Sequence, residues 1–199
     1  ELLNEFKRYS NDGNYEYIIY EVLKGYNDLF LSKKPSLINN KFGNLSLINQ
    51  AFQYCYLNQS ETSSAFINII NSNEGDYTRY LFFYFNNLIE NKDFESTQQI
   101  SKTINMLDSN LLIQQSKRWI DESNYKKFSQ IFSCNNEEDI LAEFFFLISN
   151  FVGADGDFKK LSFYSNISNY LNPKFKFNLS LVAENYYFNK EYKKSKRIL

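Results

Sequence analysis

The sequence predicts an all-α protein built as a solenoid of stacked antiparallel helix pairs. Apolar residues recur three and four positions apart along most of the chain, whereas the alternation typical of strands is scarce. The last sixty residues nearly repeat themselves at an offset of 34, which is the length of one helix-turn-helix unit in a stacked array. One pair of short helices cannot bury its apolar stripe alone, so neighbouring pairs must stack to form the core.

The clearest copies of the repeat lie in these last sixty residues. Five of six compared positions keep their class of side chain when 34 is added to the residue number. The matched positions are Phe145 and Leu179, Ile148 and Val182, Ser149 and Ala183, Val152 and Tyr186, Phe158 and Tyr192, and Leu161 and Ser195. We therefore expect residues 137–171 and 175–199 to be equivalent helix pairs, in which Phe158 and Tyr192 fill the same buried site beside the turn.

Helical spacing predicts twelve helices grouped in pairs. In chain order they span 1–11 and 15–32, 45–57 and 61–72, 76–91 and 94–107, 110–122 and 125–132, 137–152 and 157–171, and 175–189 and 192–199. Short turns rich in Asn, Asp, Ser and Gly separate the two helices of each pair, because these residues tolerate left-handed or capping geometry. An aromatic residue follows the turn at Phe94, Tyr125, Phe158 and Tyr192, and these positions recur at close to one repeat length.

The first part of the chain is less regular than the rest. Tyr15 follows the turn at residues 11–14, and its next counterpart, Thr62, comes well over one repeat length later. Pro35 and Gly43 indicate that an insertion loop at about residues 33–44 separates the first two pairs.

One helix start is marked by its capping residues. Asn136 precedes Glu137, Glu138 and Asp139, which is the pattern of a capped helix with acidic residues in its first turn.

We expect one domain across residues 1–199, with irregular repeats over 1–72 and clearer repeats over 76–199. The sequence starts and stops within amphipathic helical segments, so we also expect both ends to have been cut from a longer protein. No signal peptide is visible at the first residues, and no residue pattern assigns a cellular compartment.

The pattern resembles a tetratricopeptide repeat protein over about the last 125 residues. Its best copy reads Phe145, Ile148, Ser149, Val152, Gly156-Asp157-Phe158, Ser168 and Pro173. The resemblance implies a right-handed superhelix with a concave groove lined by the first helix of each pair. Leu161 and Phe128 stand where the family usually has alanine, and Phe85 replaces a small residue. We expect this bulk to push the helices apart.

Counting along the first helices places a set of residues on the implied concave face. They are Arg79, Phe82, Asn86, Lys117, Phe146, Asn150, Glu184 and Tyr187, with Ile113 and Ser180 beside them. Some family members clamp a terminal carboxylate with lysine and asparagine here, but Phe82 and Phe146 stand where that lysine would be. A groove of rings and amides suits an extended peptide or a helix better.

Composition excludes several classes of function. The chain has no histidine, so catalytic triads and histidine metal sites are absent, and it contains no glycine-rich phosphate-binding motif. We expect no catalytic residue, no metal and no cofactor. The net charge of −1 disfavours nucleic acid as a partner, and no apolar run is long enough to span a membrane. The basic run of Lys190, Lys193, Lys194, Lys196 and Arg197 is interpreted as a solvated helix face.

The two cysteines, Cys55 and Cys134, are far apart in the sequence, and we interpret them as buried thiols.

The sequence therefore predicts a non-enzymatic scaffold that binds a protein or peptide partner. Two alternatives remain open. The chain could be the helical accessory region of a larger enzyme, such as a transferase fused to these repeats, or a structural spacer without a ligand.

Overall fold

The computed structural model describes residues 2–9, 14–36, 42–72 and 78–198, and every regular element in these ranges is helical. The first six helices are α1 (Leu2–Tyr9), α2 (Tyr15–Ser32), α3 (Asn44–Tyr56), α4 (Thr62–Ile70), α5 (Tyr80–Glu90) and α6 (Phe94–Lys102). The next six are α7 (Leu111–Asp121), α8 (Lys126–Ile131), α9 (Glu137–Ala154), α10 (Phe158–Leu171), α11 (Leu179–Phe188) and α12 (Tyr192–Ile198). The all-α prediction is confirmed, and so is the packing of helices in pairs.

Most predicted helices agree with the observed ones to within two residues, and the larger differences have local causes. Helix α6 ends at Lys102, not at 107, because Asn105 forms a turn in which its side chain accepts a hydrogen bond from the Leu107 N–H. Helix α11 begins at Leu179 after a short 3₁₀ turn at Lys176–Asn178.

Some predicted features fall on residues that the structure does not describe. Residues 10–13 carry most of the first predicted turn, and residues 37–41 form the centre of the predicted insertion loop. Residues 73–77 include the predicted start of the third pair. These features lie outside the described residues, and the single domain across 1–199 stays a prediction.

The turns within five successive helix pairs have the same backbone geometry. The second residue after each first helix has a positive φ, at Asn58 (50°), Lys92 (61°), Ser123 (53°), Gly156 (81°) and Lys190 (61°). The next N–H then donates to the carbonyl five positions back, at N···O distances of 2.7 to 3.0 Å. This is the Schellman motif, which satisfies the last carbonyls of a helix. The five positions recur at close to one repeat length, as the sequence predicts.

The turns lead to a prediction about backbone strain. Ser123 occupies the left-handed region, which costs a residue with a side chain about 1 kcal/mol more than it costs glycine. Ser123→Gly should therefore raise the free energy of unfolding by about 0.5–1 kcal/mol, as measured by urea denaturation. The reverse change, Gly156→Ala, should lower the free energy of unfolding by about 1 kcal/mol. The added methyl group would contact no other atom, so the loss would come from the left-handed backbone alone. If both substitutions raised the free energy of unfolding, or both lowered it, the left-handed geometry of these two residues would be contradicted.

The chain forms two compact units, residues 1–129 and 130–199. In the first unit, Phe52 on α3 is the centre of an aromatic cluster. Its ring meets Phe66 on α4 at 5.6 Å and Phe83 on α5 at 5.0 Å between ring centroids. These rings are almost completely buried, so the core of this unit is built from contacts between successive helix pairs.

In the second unit, α9 and α10 approach each other closely at Gly153. A methyl group added to Gly153 would overlap Cδ1 of the buried Leu161 and lie 3.4 Å from its Cγ. Leu161 is one of the bulky residues expected to push helices apart. The absence of a side chain at Gly153 makes room for it, so that expectation is wrong at this contact.

The predicted cap of α9 is confirmed. The side chain of Asn136 accepts hydrogen bonds from the N–H groups of Glu138 (2.9 Å) and Asp139 (3.4 Å). Asn14, Asp93, Asn110 and Asp157 cap α2, α6, α7 and α10 in the same manner. Local sequence thus accounts for where these helices begin.

Cys55 and Cys134 are buried, as expected. Both are disulfide-bonded, so the interpretation of the two cysteines as free thiols is wrong.

Candidate functional site

Three of the residues predicted to line a concave groove are buried. Phe82 and Asn86 are 0% exposed and Phe146 is 7% exposed. The ring of Phe82 stacks on Phe128 at 5.4 Å, so it belongs to the core of the first unit. These residues offer no surface to a ligand, and polar replacement of Phe82 and Phe146 would disrupt packing instead of removing a binding anchor. The structure places all three in the core, and the concave groove itself stays a prediction.

The two predicted groove cations also have structural contacts. The Arg79 guanidinium lies 5.7 Å from the centre of the Phe83 ring. The Nζ of Lys117 donates to the Ser101 carbonyl at 3.1 Å and is 3.4 Å from the carboxylate of Asp121. Lys117 therefore ties α7 to the end of α6.

The remaining three predicted residues lie in the second unit, and two of them share a cleft. Asn150 on α9 and Glu184 on α11 line a cleft of about 190 Å³ together with Phe158 and Phe188. We call it the aromatic cleft, and it is completed by Gly153, Ala154 and Leu161. Tyr187 is 59% exposed and its ring meets that of Phe188 at 6.1 Å. Asn150, Glu184 and Tyr187 thus lie at or beside one surface.

Phe158 and Tyr192 do not fill a buried site. Phe158 is 45% exposed and Tyr192 is 55% exposed. The prediction that they lock the turns as core residues is wrong, because each begins its second helix at the edge of the unit. Phe158 instead presents part of its ring to the aromatic cleft.

Phe188 was missed when the sequence was interpreted. It is 77% exposed, which is unusual for a phenylalanine. It belongs to the run Tyr186-Tyr187-Phe188. Successive residues on a helix point about 100° apart, so these three rings face different sides of α11, and the packing of neighbouring helices decides which of them is covered.

A second cleft of about 390 Å³ lies on the other side of Phe158, between α10 and the α11–α12 turn. We call it the lysine cleft, and its lining includes Phe158, Lys159, Ser162, Tyr186, Glu191 and Lys194. Lys194 donates a hydrogen bond to Glu191 and lies 5.3 Å from the centre of the Tyr186 ring. The hydrogen bond to Glu191 raises the pKa of Lys194 above its usual range. Phe158 and Leu161 belong to both clefts.

Charge is unevenly distributed along the second unit. Residues 130–157 contain six carboxylates and no lysine or arginine, whereas residues 158–198 contain nine lysine and arginine residues and two glutamates. The segment from α10 to α12 therefore carries a net charge of +7, although the whole chain is at −1. Over residues 130–198 together, nine lysine and arginine residues face eight carboxylates, so the excess belongs to the segment and the second unit as a whole is nearly balanced.

Asp139 is a carboxyl group with a perturbed pKa. Burial raises the pKa of Asp139 to about 6, against the opposing effects of a hydrogen bond from the Ser133 N–H (2.9 Å) and of the nearby Lys174. A raised pKa can indicate a general acid. Asp139 lines neither cleft and holds the loop before α9, so we assign it a structural role.

Two further classes of site were considered over the part of the chain that the structure describes. No three acidic or cysteine side chains there lie close enough to hold a metal ion. No helix in the same ranges has the length and apolar character needed to cross a bilayer.

Comparison with known proteins identifies no relative of this chain, so the functional proposal rests on the two clefts. No protein-family model matches the chain, and no curated protein or solved structure is significantly similar to it.

Proposed function

We propose that this chain is a non-enzymatic interaction module of the tetratricopeptide-repeat type, which binds a peptide or protein partner through the aromatic cleft. The repeat assignment is supported by the five equivalent Schellman turns, which recur at close to one repeat length. We infer that each short helix pair buries its apolar surface against its neighbours, as the helix pairs of a right-handed solenoid of this family do.

The observation that carries the function is the pair of exposed phenylalanine rings in the aromatic cleft. Phe158 and Phe188 leave 45% and 77% of their surface in water. Full burial of such a side chain contributes roughly 1.5–3 kcal/mol, and aromatic residues are favoured anchors at interfaces. A partner that covers both rings would recover the share of this free energy that belongs to their exposed surface.

Two polar side chains beside the rings, Asn150 and Glu184, are suited to hydrogen bonding with a peptide backbone. Glu184 supplies a carboxylate that can accept hydrogen bonds from backbone N–H groups. Asn150 lies at the same cleft and donates to the Phe146 carbonyl at 3.1 Å, which fixes the orientation of its amide. Rings that fill pockets and polar groups that orient the main chain are the usual elements of peptide recognition.

The proposal is tested by selecting peptides from a phage-displayed random library on the immobilised chain. Selected peptides should bind Phe158→Ala/Phe188→Ala at least about tenfold more weakly than the unmodified chain, since each anchor contributes on the order of 1 kcal/mol or more.

The matched control is Phe163→Ala/Tyr170→Ala. These two rings are also exposed, at 56% and 84%, but they line neither cleft. The control should bind as the unmodified chain does, and both variants should keep its far-ultraviolet circular dichroism. Failure to select any peptide, or equal loss in the two variants, would reject the aromatic cleft as a binding site.

A further inference from the structure

We propose that the lysine cleft receives an acidic segment of the same partner. The inference rests on the proposed function and adds the chemistry of the partner. A peptide whose apolar side chain covers Phe158 would place neighbouring residues beside Lys159, because Phe158 forms part of both clefts.

Charge complementarity supports an acidic occupant. The segment from α10 to α12 has a net charge of +7, and Lys159, Lys190 and Lys193 are exposed on it. Of its two carboxylates, Glu191 is already paired with Lys194, and Glu184 lies in the aromatic cleft. The charged residues that line the lysine cleft are Lys159, Lys194 and Glu191, so the lining carries a net charge of +1. A positive lining attracts carboxylates, which speeds association and selects against basic partners.

The shape of the lysine cleft separates this site from a flat basic surface. Its volume of about 390 Å³ is enough to receive part of a peptide chain. Tyr186 forms part of its wall, with its hydroxyl 3.5 Å from the Ser162 hydroxyl and Lys194 above its ring. Lys194 is thus held at the wall by Tyr186 and Glu191, and the exposed Lys159 of the same cleft is the cation that a carboxylate of the ligand can reach.

The two clefts favour a peptide over single-stranded nucleic acid. Exposed rings and lysines also occur in proteins that bind single strands. Here, however, each cleft contains one carboxylate, Glu184 or Glu191. Glu191 is paired with Lys194, so the discrimination lies with Glu184 in the aromatic cleft. A phosphodiester backbone carries negative charge and no N–H donor, so Glu184 would repel it, whereas a peptide backbone supplies N–H donors for this carboxylate.

The test uses three labelled probes with the full chain. They are a short peptide in which glutamate alternates with phenylalanine, the same peptide with lysine in place of glutamate, and an oligouridylate of similar length. Fluorescence anisotropy should show binding of the acidic peptide, weaker affinity at higher salt, and at least tenfold weaker binding of the other two probes.

Charge-reversal variants locate the site. Lys159→Glu should weaken binding of the acidic peptide by about tenfold or more. Lys176→Glu changes the net charge equally, at an exposed lysine outside both clefts, and should weaken binding by less than about threefold. Equal losses in the two variants would overturn the proposal, as would equal binding of the lysine peptide or preferential binding of oligouridylate.

The outcomes separate this inference from the proposed function. Library peptides that depend on Phe158 and Phe188 but carry no acidic residues would leave the interaction module in place and overturn the acidic partner. The absence of any selected peptide would reject both.

Discussion

Replacing Phe128 by alanine should lower the free energy of unfolding of the first unit by about 3–5 kcal/mol. Phe128 is 0% exposed, and its ring stacks on Phe82 and meets Trp119 edge-on, both at 5.4 Å between centroids. It also contacts Phe85 at 6.4 Å. Alanine would leave a cavity among three rings that cannot collapse without moving their helices.

Phe128 also corrects an expectation from the repeat pattern. The resemblance to tetratricopeptide repeats implies small residues at Phe128 and Phe85, and it predicts that bulk at these positions separates the helices. In the structure they touch each other in the buried cluster, so the added volume fills the interior. Alanine at position 128 is the residue that the resemblance implies, and we expect it to destabilise this chain.

The measurement is urea denaturation followed by fluorescence. Trp119 is the only tryptophan of the chain and lies against Phe128, so it reports on this unit. Phe163→Ala is the control, since Phe163 is 56% exposed, and it should cost less than about 1 kcal/mol. A loss for Phe128→Ala no larger than that of the control would contradict the packing described.

Gly153→Ala should destabilise the second unit by about 1–3 kcal/mol. In an ordinary helix this change is stabilising by roughly 0.5–1 kcal/mol, because glycine is a poor helix former. Here the new methyl group would overlap Cδ1 of Leu161, and Leu161 is only 3% exposed. The crowding should outweigh the gain in helix propensity, so the sign of the effect tests the close approach of α9 and α10.

A double-mutant cycle isolates this contact. Leu161→Ala alone should cost about 2–5 kcal/mol by creating a cavity. The double variant Gly153→Ala/Leu161→Ala should be no less stable than Leu161→Ala, because the shorter side chain removes the crowding. The cycle is measured by urea denaturation with circular dichroism. Additive losses, or a Gly153→Ala variant that is more stable than the unmodified chain, would show that the helices are further apart than described.

The helices and their turns could be predicted from sequence because local chemistry determines them. Asn136 caps α9 through its own side chain, and Gly156 supplies a left-handed residue where the turn requires one. The repeated turn spacing follows from the same local preferences. Neither feature needs a distant partner, so both are readable from a short stretch of residues.

The buried face of each helix was harder to predict. Helix α5 contains the run Phe82, Phe83, Tyr84 and Phe85, and all four side chains are buried. A helix that is apolar all round has no single hydrophobic face, so its spacing cannot show which residues face a groove. Phe82 was therefore placed on a binding surface, although packing against Phe128 makes it part of the core.

The sequence by itself determined that this chain is helical, where most of its helices begin and end, and that its turns recur at about one repeat length. Only the tertiary structure decided which aromatic side chains are covered. Phe82 is buried and Phe158 is half exposed, although both are phenylalanines in helices. Helix formation depends on neighbours in the chain, whereas exposure depends on the helices that pack against each face, and these come from distant parts of the sequence.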